Sequence, residues 1–217
     1  TWNGMRGTDV SFLWYGLEKG APLPAGLANV HCAKGRTNCT GVPFPISADW
    51  IRNFLLEDPS ADLTRLDVAQ LEHLFHYSFQ KYNSIIGTDN PDLSAFKEAG
   101  GKMLTWHGLA DQLIFPKGTL QYYHRVEDND PFVRDFYRLF LAPGVNHCRD
   151  GEGALPIDAL KPVVDWVENG VAPEIIPART LDRVRTRDLC PYPLMSVYRG
   201  GDDRLASSYA CEGRYTM

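Results

Sequence analysis

The chain has 217 residues and a formal charge of −5 at neutral pH, and 44% of its residues are hydrophobic, 23% charged and 12% aromatic. This length suits one domain of ordinary size, or one and a fraction, and the many aromatic residues exclude a disordered protein. No apolar run approaches the roughly 20 residues of a membrane-spanning helix, and no cluster of Lys and Arg offers a surface for nucleic acid, so both classes of protein are excluded.

The first part of the chain changes character near residue 47. Residues 1–46 are rich in Gly and Pro and have no sustained hydrophobic period, whereas Ser47 and the two residues after it predict the capped start of a short helix. A second helix is predicted over residues 67–83, because its apolar residues recur at helical spacing. These residues are Leu71, Leu74, Phe75, Phe79 and Tyr82. An Asp-Asn-Pro turn then predicts a boundary near residue 88.

The second part alternates predicted helices and strands. Helices are predicted over 93–99, 116–128 and 157–168, and strands over 102–106 and 136–141. This alternation predicts the last βαβα stretch of a parallel sheet in an α/β fold. In the last helix we expect an apolar stripe to face inward, formed by Leu160, Val163, Val164 and Val167. Residues 174–217 show few periodic signals beyond a strand near 174–176 and a cross-linked C-terminal loop.

Five cysteines leave one unpaired if the others form disulfides: Cys32, Cys39, Cys148, Cys190 and Cys211. The first two flank a polar turn and the last two flank a Pro- and Gly-rich stretch, so both pairings are plausible disulfides that close short loops. Cys148 is then left for a bond to another chain or as a free thiol. The alternative is a cytosolic protein with five reduced thiols.

The sequence also carries a glycosylation signal. Asn38 begins an Asn-Cys-Thr sequon, which carries a glycan only in a secreted protein. Together with the cysteines it favours a secreted, extracellular protein. Because Thr1 is not an initiator Met, we expect a processed or trimmed chain from which a targeting segment has been removed.

An acid and a base follow consecutive predicted strands. Asp111 lies in the loop after the strand over 102–106, and His147 lies in the loop after the strand over 136–141. Loops after strand ends carry the chemistry of parallel sheets, and Asp followed by His is the end of the Ser…Asp…His order of α/β-hydrolases. None of the nine serines, however, has the Gly-x-Ser-x-Gly pattern of the nucleophile. The chain therefore offers an acid and a base without a nucleophile.

Two segments around these residues resemble one enzyme family. Residues 102–114 and 144–148, with residues 12–17 and 190–193, are similar to the tannase and feruloyl esterase family of secreted fungal and bacterial ester hydrolases. In that family a cysteine before the nucleophilic serine is disulfide-bonded to a cysteine directly after the catalytic histidine. The resemblance implies that Asp111 and His147 are catalytic and that Cys148 bonds to a cysteine beside the serine on a separate N-terminal chain.

The resemblance also implies how the chain is organised. Residues 1–87 would be part of a lid domain, and residues 88–217 the C-terminal part of an α/β-hydrolase catalytic domain. A separate N-terminal chain, disulfide-linked to this one, is typical of processed fungal tannases, so the resemblance favours a tannin acyl hydrolase that cleaves galloyl ester and depside bonds. No cofactor is expected in this chain, whereas a structural calcium is expected on the N-terminal chain.

Three alternatives stay open. A feruloyl esterase, which releases ferulic acid from plant cell-wall esters, shares the same residues, because gallate and ferulate both present a flat phenolic ring. A non-catalytic secreted binding subunit would explain the absent serine. A metal site would draw on His73 and His76 of the predicted helix, or on the imidazole, carboxylate and thiol groups of residues 107–111 and 147–148, although no closed zinc pattern occurs.

Overall fold

The structure, a computed structural model, describes residues 2–22, 29–35 and 38–215. Within these residues no helix has both the length and the apolar composition needed to cross a bilayer. The chain divides into two compact units, which are described separately below.

The N-terminal unit comprises Thr1–Gly16 and Pro22–Thr88, and the C-terminal unit comprises Leu17–Ala21 and Asp89–Met217. The assignment of the N-terminal unit to a lid and of the C-terminal unit to a catalytic domain stays a prediction.

Two small antiparallel hairpins begin the N-terminal unit. Strand β1 (Met5–Arg6) pairs with β2 (Phe12–Trp14), and β3 (Asn29–His31) pairs with β4 (Thr40–Val42). Such short hairpins are marginal on their own. The disulfide between Cys32 and Cys39 closes the connection of the second hairpin and links the ends of its two strands.

Two helical segments complete this unit. Helix α1 (Pro45–Trp50) continues into a π-helical turn over Ile51–Leu55. The prediction that this helix begins at a capping Ser47 was wrong: it begins at Pro45, whose ring fixes a helical φ at the first position. Helix α2 (Val68–Ile86) is three residues longer at its C-terminal end than predicted.

The start of α2 follows from a capping box. The Asp67 carboxylate accepts the backbone N–H of Gln70 at 2.8 Å, and the Gln70 side chain accepts the backbone N–H of Asp67 at 3.0 Å. Both residues thereby satisfy N–H groups that the first helical turn leaves unpaired.

The C-terminal unit contains three α-helices and seven strands among its described residues. In chain order they are α3 (Ser94–Glu98), β5 (Met103–Gly108), α4 (Pro116–Asn129), β6 (Tyr137–Ala142), β7 (Leu155–Pro156), α5 (Leu160–Asn169), β8 (Ile176–Arg179), β9 (Thr186–Leu189), β10 (Met195–Tyr198) and β11 (Tyr209–Glu212). The long helix α4 lies between the two strands whose following loops carry the candidate acid and base.

Strands β5 and β6 form a parallel pair in register from Met103 opposite Tyr137 to Gly108 opposite Ala142. The sequence placed the end of the first strand at residue 106, but pairing continues for two more residues, so His107 belongs to β5 and not to the loop after it. Because both strands end at the same level, the loops that follow them leave the same edge of the sheet.

Strand β6 is buried on both faces. Tyr137, Leu139 and Leu141 pack in one apolar cluster with residues of α4, whereas Phe140 and Ala142 pack in a second cluster with residues of β8 and β9. This alternation follows from the two-residue period of a strand, and burial on both faces is typical of parallel sheets. It explains why the sequence of this strand reads as a nearly continuous apolar run.

The C-terminal segment is more regular than its sequence suggested. Strands β7, β8 and β9 form an antiparallel sheet, and β10 pairs with β11 in a hairpin. The disulfide between Cys190 and Cys211 joins the end of β9 to β11. The four strands from β8 onward are each only four residues long and carry little alternation, which is why periodicity predicted only one of them.

The inward face of α5 differs from the prediction. Trp166 is the buried residue of this helix, whereas Leu160 and Val167 of the predicted inner stripe are 71% and 59% exposed. The Trp166 ring lies below the cationic ends of Lys102 and Arg138, at 5.2 and 5.7 Å from the ring centroid. The contacts of the Trp166 indole with these two cations therefore place the Trp166 side of α5, and not the predicted stripe, against the rest of the C-terminal unit.

Candidate active site

The loops after β5 and β6 run side by side. The backbone N–H of Leu109 donates to the carbonyl of Ala142 at 2.9 Å, and that of Ala110 donates to the carbonyl of Val145 at 3.0 Å. These bonds extend the parallel pairing beyond the strands and fix the two loops to each other.

Gly108 makes this close approach possible. A Cβ atom at this position would lie 2.3 Å from the carbonyl oxygen of Val145 and 2.9 Å from that of Asn146. Neither oxygen belongs to a flexible side chain, so a side chain at position 108 would push the second loop away. The absence of a side chain here sets the distance between the two loops.

We expect Gly108→Ala to destabilise the protein by about 1–3 kcal/mol, the usual cost of overpacking. Urea unfolding measures this change. Gly41 in β4 is the matched control, since a Cβ there has open space around it and Gly41→Ala should change stability by less than about 0.5 kcal/mol. Equal stability of both variants would contradict the steric role of Gly108.

Asp111 and His147, the two candidate catalytic residues, are brought together by these loops. Nδ1 of His147 lies 3.0 Å from Oδ2 of Asp111. A carboxylate oxygen only accepts hydrogen bonds, so Nδ1 carries the hydrogen and the lone pair of the imidazole is on Nε2. The Asp111 side chain is 5% exposed and that of His147 is 35% exposed. A buried acid thus orients a base that solvent can reach.

The Asp111 carboxylate is held by its own loop as well. Oδ1 accepts the backbone N–H groups of Leu113 and Ile114, both at 2.8 Å. Burial acts to raise the pKa of Asp111, but the Ile114 N–H, the His147 side chain and the Leu113 N–H outweigh it, and the net pKa lies below its ordinary value. Asp111 is therefore ionised at neutral pH despite its burial.

Two residues contact this pair that sequence reasoning did not assign to it. The Gln112 side chain accepts the backbone N–H of His147 at 3.2 Å and so tethers the second loop to the first. Nε2 of His107 lies 3.2 Å from Oδ2 of Asp111, the same oxygen that His147 contacts. No local sequence pattern predicts either contact, because both depend on where β5 ends and on how the two loops pack.

The cysteines have the arrangement that their spacing predicted. Cys32 pairs with Cys39, and Cys190 pairs with Cys211. Cys148, directly after His147, is an exposed free thiol. Asn38 is exposed in the disulfide-closed connection between β3 and β4, and its glycosylation stays a prediction.

No group of three or more His, Cys, Asp or Glu residues in the described part of the chain could hold a metal ion. This finding gives no support to the alternative metal site at His73 and His76, or to one at His107, Asp111 and His147. The calcium expected on the N-terminal chain concerns residues outside this sequence and stays a prediction.

A cavity of about 540 Å³ lies in the C-terminal unit. Leu109, Pro143 and Glu152 line it on the side of the two loops, and residues of β9, β10 and the segments next to them line much of the rest. Neither Asp111 nor His147 belongs to its wall, so the cavity does not mark the acid and base.

Comparisons with known proteins agree on one family. A sequence profile described as "Tannase and feruloyl esterase" matches residues 23–212. The chain is 44% identical over 220 residues to a probable feruloyl esterase of Arthroderma benhamiae, in an alignment that covers 97% of this chain and 40% of that protein. The chain thus spans less than half the length of this relative.

Solved structures show the same fold. A crystal structure of an esterase from Aspergillus oryzae superposes with a TM-score of 0.82 at 30% identity, over 97% of this chain and 44% of that one. A tannin acyl hydrolase from Aspergillus niger superposes with a TM-score of 0.85 at 22% identity, over 98% of this chain and 41% of that one. The fold is of the α/β-hydrolase type, as the sequence predicted, and the chain belongs to the tannase and feruloyl esterase family.

Proposed function

We propose that this chain supplies the acid and the base of a secreted carboxylic ester hydrolase with a Ser-His-Asp acyl-enzyme mechanism. The observation that carries the proposal is the 3.0 Å contact between His147 and buried Asp111 at the ends of two adjacent parallel strands. Their order along the chain is that of the α/β-hydrolase triad. The nucleophilic serine then belongs to the remainder of the protein, since the relatives are more than twice as long as this chain.

The proposed chemistry is acyl transfer. Nε2 of His147 takes the proton of the serine hydroxyl while the serine oxygen attacks the ester carbonyl. His147 then gives this proton to the leaving alcohol. Asp111 keeps the hydrogen of His147 on Nδ1 and stabilises the imidazolium that forms. Water repeats the cycle on the acyl-enzyme and releases the acid.

For the acyl group we propose a phenolic acid of the hydroxycinnamate type. The relative at 44% identity is named a probable feruloyl esterase, whereas the likeness to the tannin acyl hydrolase, at 22% identity, concerns the fold alone. The family description names both activities, so the galloyl specificity predicted from the sequence is the second candidate.

Hydrolysis of methyl ferulate and methyl gallate by the complete protein, including the remainder that supplies the serine, tests this proposal. We expect a higher kcat/KM for methyl ferulate. A preference for methyl gallate would favour a tannin acyl hydrolase. If the protein hydrolyses neither ester, the proposed ester hydrolase activity is contradicted, and a non-catalytic secreted binding subunit is favoured.

The proposal includes a partner for this chain, the N-terminal portion of the same protein, linked through Cys148. Three observations support it. The thiol of Cys148 is exposed beside the candidate base, β5 is paired on one side only among the described strands, and α5 exposes Leu160 and Val167. A two-stranded parallel sheet is not expected to be stable alone. We therefore propose that the N-terminal portion adds a strand beside β5 and covers the exposed apolar residues of α5.

We expect Cys148→Ser to lower kcat by about 100-fold, because the proposed disulfide holds serine and histidine in place and a displacement of about 1 Å costs that much. Replacing Cys32 and Cys39 together with Ser removes a disulfide far from His147 in sequence and serves as the control. Peptide mapping without reductant should find Cys148 bonded to a cysteine adjacent to a serine. A Cys148 that reacts with iodoacetamide in the native protein would contradict the link.

Secretion is part of the same proposal. Two disulfides within the chain are typical of an oxidising compartment, and the sequon at Asn38 is exposed. A glycan on Asn38 of the protein recovered from culture medium is the expected result.

A further inference from the structure

A second imidazole contacts the candidate acid. Nε2 of His107 lies 3.2 Å from Oδ2 of Asp111 and 3.0 Å from the carbonyl oxygen of Ile114. The His107 side chain is 12% exposed, so these contacts are largely shielded from water. The ring is therefore held between the carboxylate and the backbone of the loop that carries it.

The contacts of His107 fix which ring nitrogen carries the hydrogen. A carboxylate oxygen and a carbonyl oxygen only accept hydrogen bonds, so Nε2 is a donor. Nδ1 lies 2.8 Å from Oγ1 of Thr119, in the first turn of α4. A threonine hydroxyl can donate to the lone pair of Nδ1, which leaves the hydrogen of the ring on Nε2.

His107 completes the set of donors around Asp111. Oδ1 accepts two backbone N–H groups of the loop, whereas Oδ2, among the described residues, accepts only from the two imidazoles. Without His107, Oδ2 would be held by His147 alone, which is the group that Asp111 has to orient. With His107 as a second donor at Oδ2, the carboxylate keeps its plane when His147 moves.

We propose that His107 is a positioning residue of this site: its Nε2–H, fixed by the hydroxyl of Thr119, holds Oδ2 of Asp111 where that oxygen orients His147. This inference rests on the proposed function. His107 touches neither the ester nor the serine in this mechanism and acts only through Asp111. The sequence alone had placed it in a loop, where such a contact could not be derived.

The test compares two substitutions in the complete enzyme. Gln and Met have similar length and shape, but only Gln presents an N–H donor near the position of Nε2. We expect His107→Met to lower kcat by about 10–100-fold with KM changed less than about twofold, since small displacements of the base act on the chemical step. His107→Gln should recover kcat to within about fivefold of the wild type.

Two further measurements keep the test decisive. The low-field proton resonance of the Nδ1–H between His147 and Asp111 should persist in His107→Gln and shift or broaden in His107→Met. Thr119→Val, which replaces the hydroxyl with a methyl group, should also lower kcat severalfold. This variant takes the place of His107→Met in the test if His107→Met does not fold.

Two results would overturn the inference: an unchanged kcat and proton resonance in His107→Met, or equal losses in the Gln and Met variants together with lower thermal stability. If the wild-type enzyme hydrolyses neither phenolic ester, the proposed function fails, and the proton resonance alone decides whether His107 positions Asp111.

Discussion

We expect His147→Ala to abolish the proposed ester hydrolysis in the complete protein, with kcat falling by about 10⁶-fold, the loss typical of a missing triad histidine. The imidazole is the one group in the described chain that is oriented by Asp111 and still has a ring nitrogen, Nε2, without a hydrogen-bond partner. The side chain is 35% exposed, and its backbone contact with Gln112 does not depend on the ring. The fold should therefore be retained.

Steady-state kinetics with methyl ferulate measures the loss, and circular dichroism checks the fold. His76→Ala is the control, because His76 is an exposed histidine on α2 and should keep kcat within about twofold. A His147→Ala enzyme with more than about a tenth of wild-type kcat would dismiss His147 as the base.

The proximity of the candidate acid and base could be predicted from the sequence by a simple rule. Asp111 and His147 each follow an apolar strand of a parallel pair, and parallel strands end at the same edge of a sheet. Strand β6 was recognisable since burial on both faces makes it apolar except at Arg138. The rule predicts proximity of the two loops but not the hydrogen bonds that orient the side chains.

The rest of the site depends on information that a local pattern does not contain. His107 contacts Asp111 because β5 continues to Gly108, and only the register with β6 determines where β5 ends. The side chain of Gln112 accepts the backbone N–H of His147, which lies 35 positions later in the sequence. Both contacts arise from tertiary packing, which no periodicity or motif in either segment encodes.

The error in α5 has a similar origin. Leu160 and Val167 have the spacing of an inward stripe, but the C-terminal unit packs against Trp166 instead. The stripe does indicate an apolar face of the helix. In our proposal the remainder of the protein covers this face. Amphipathicity shows that a helix has a face to bury, whereas the identity of the neighbour depends on the complete fold.

Asp111→Asn should lower kcat by about 10⁴-fold, as expected when the triad acid is replaced by its amide. Four N–H donors surround the carboxylate, two from the backbone and two from imidazoles. An amide has one oxygen and one NH₂ group, so one pair of donors must face the NH₂. If the oxygen stays with the backbone of Leu113 and Ile114, His147 has to accept at Nδ1 and carries its hydrogen on Nε2, where it cannot take the serine proton.

The same variant tests the pH dependence of stability. The pKa of Asp111 lies below its ordinary value because the N–H of Ile114, the side chain of His147 and the N–H of Leu113 outweigh the effect of burial. A carboxyl with a lowered pKa contributes stability that is present above its unfolded pKa and is lost as the pH falls through the folded value. Asp111→Asn has no such carboxyl, so the gap in urea midpoint between wild type and variant should be full at pH 7 and narrow below about pH 4. A gap of constant size from pH 7 to pH 3 would contradict the lowered pKa, and a variant with near-normal kcat would remove Asp111 from the mechanism.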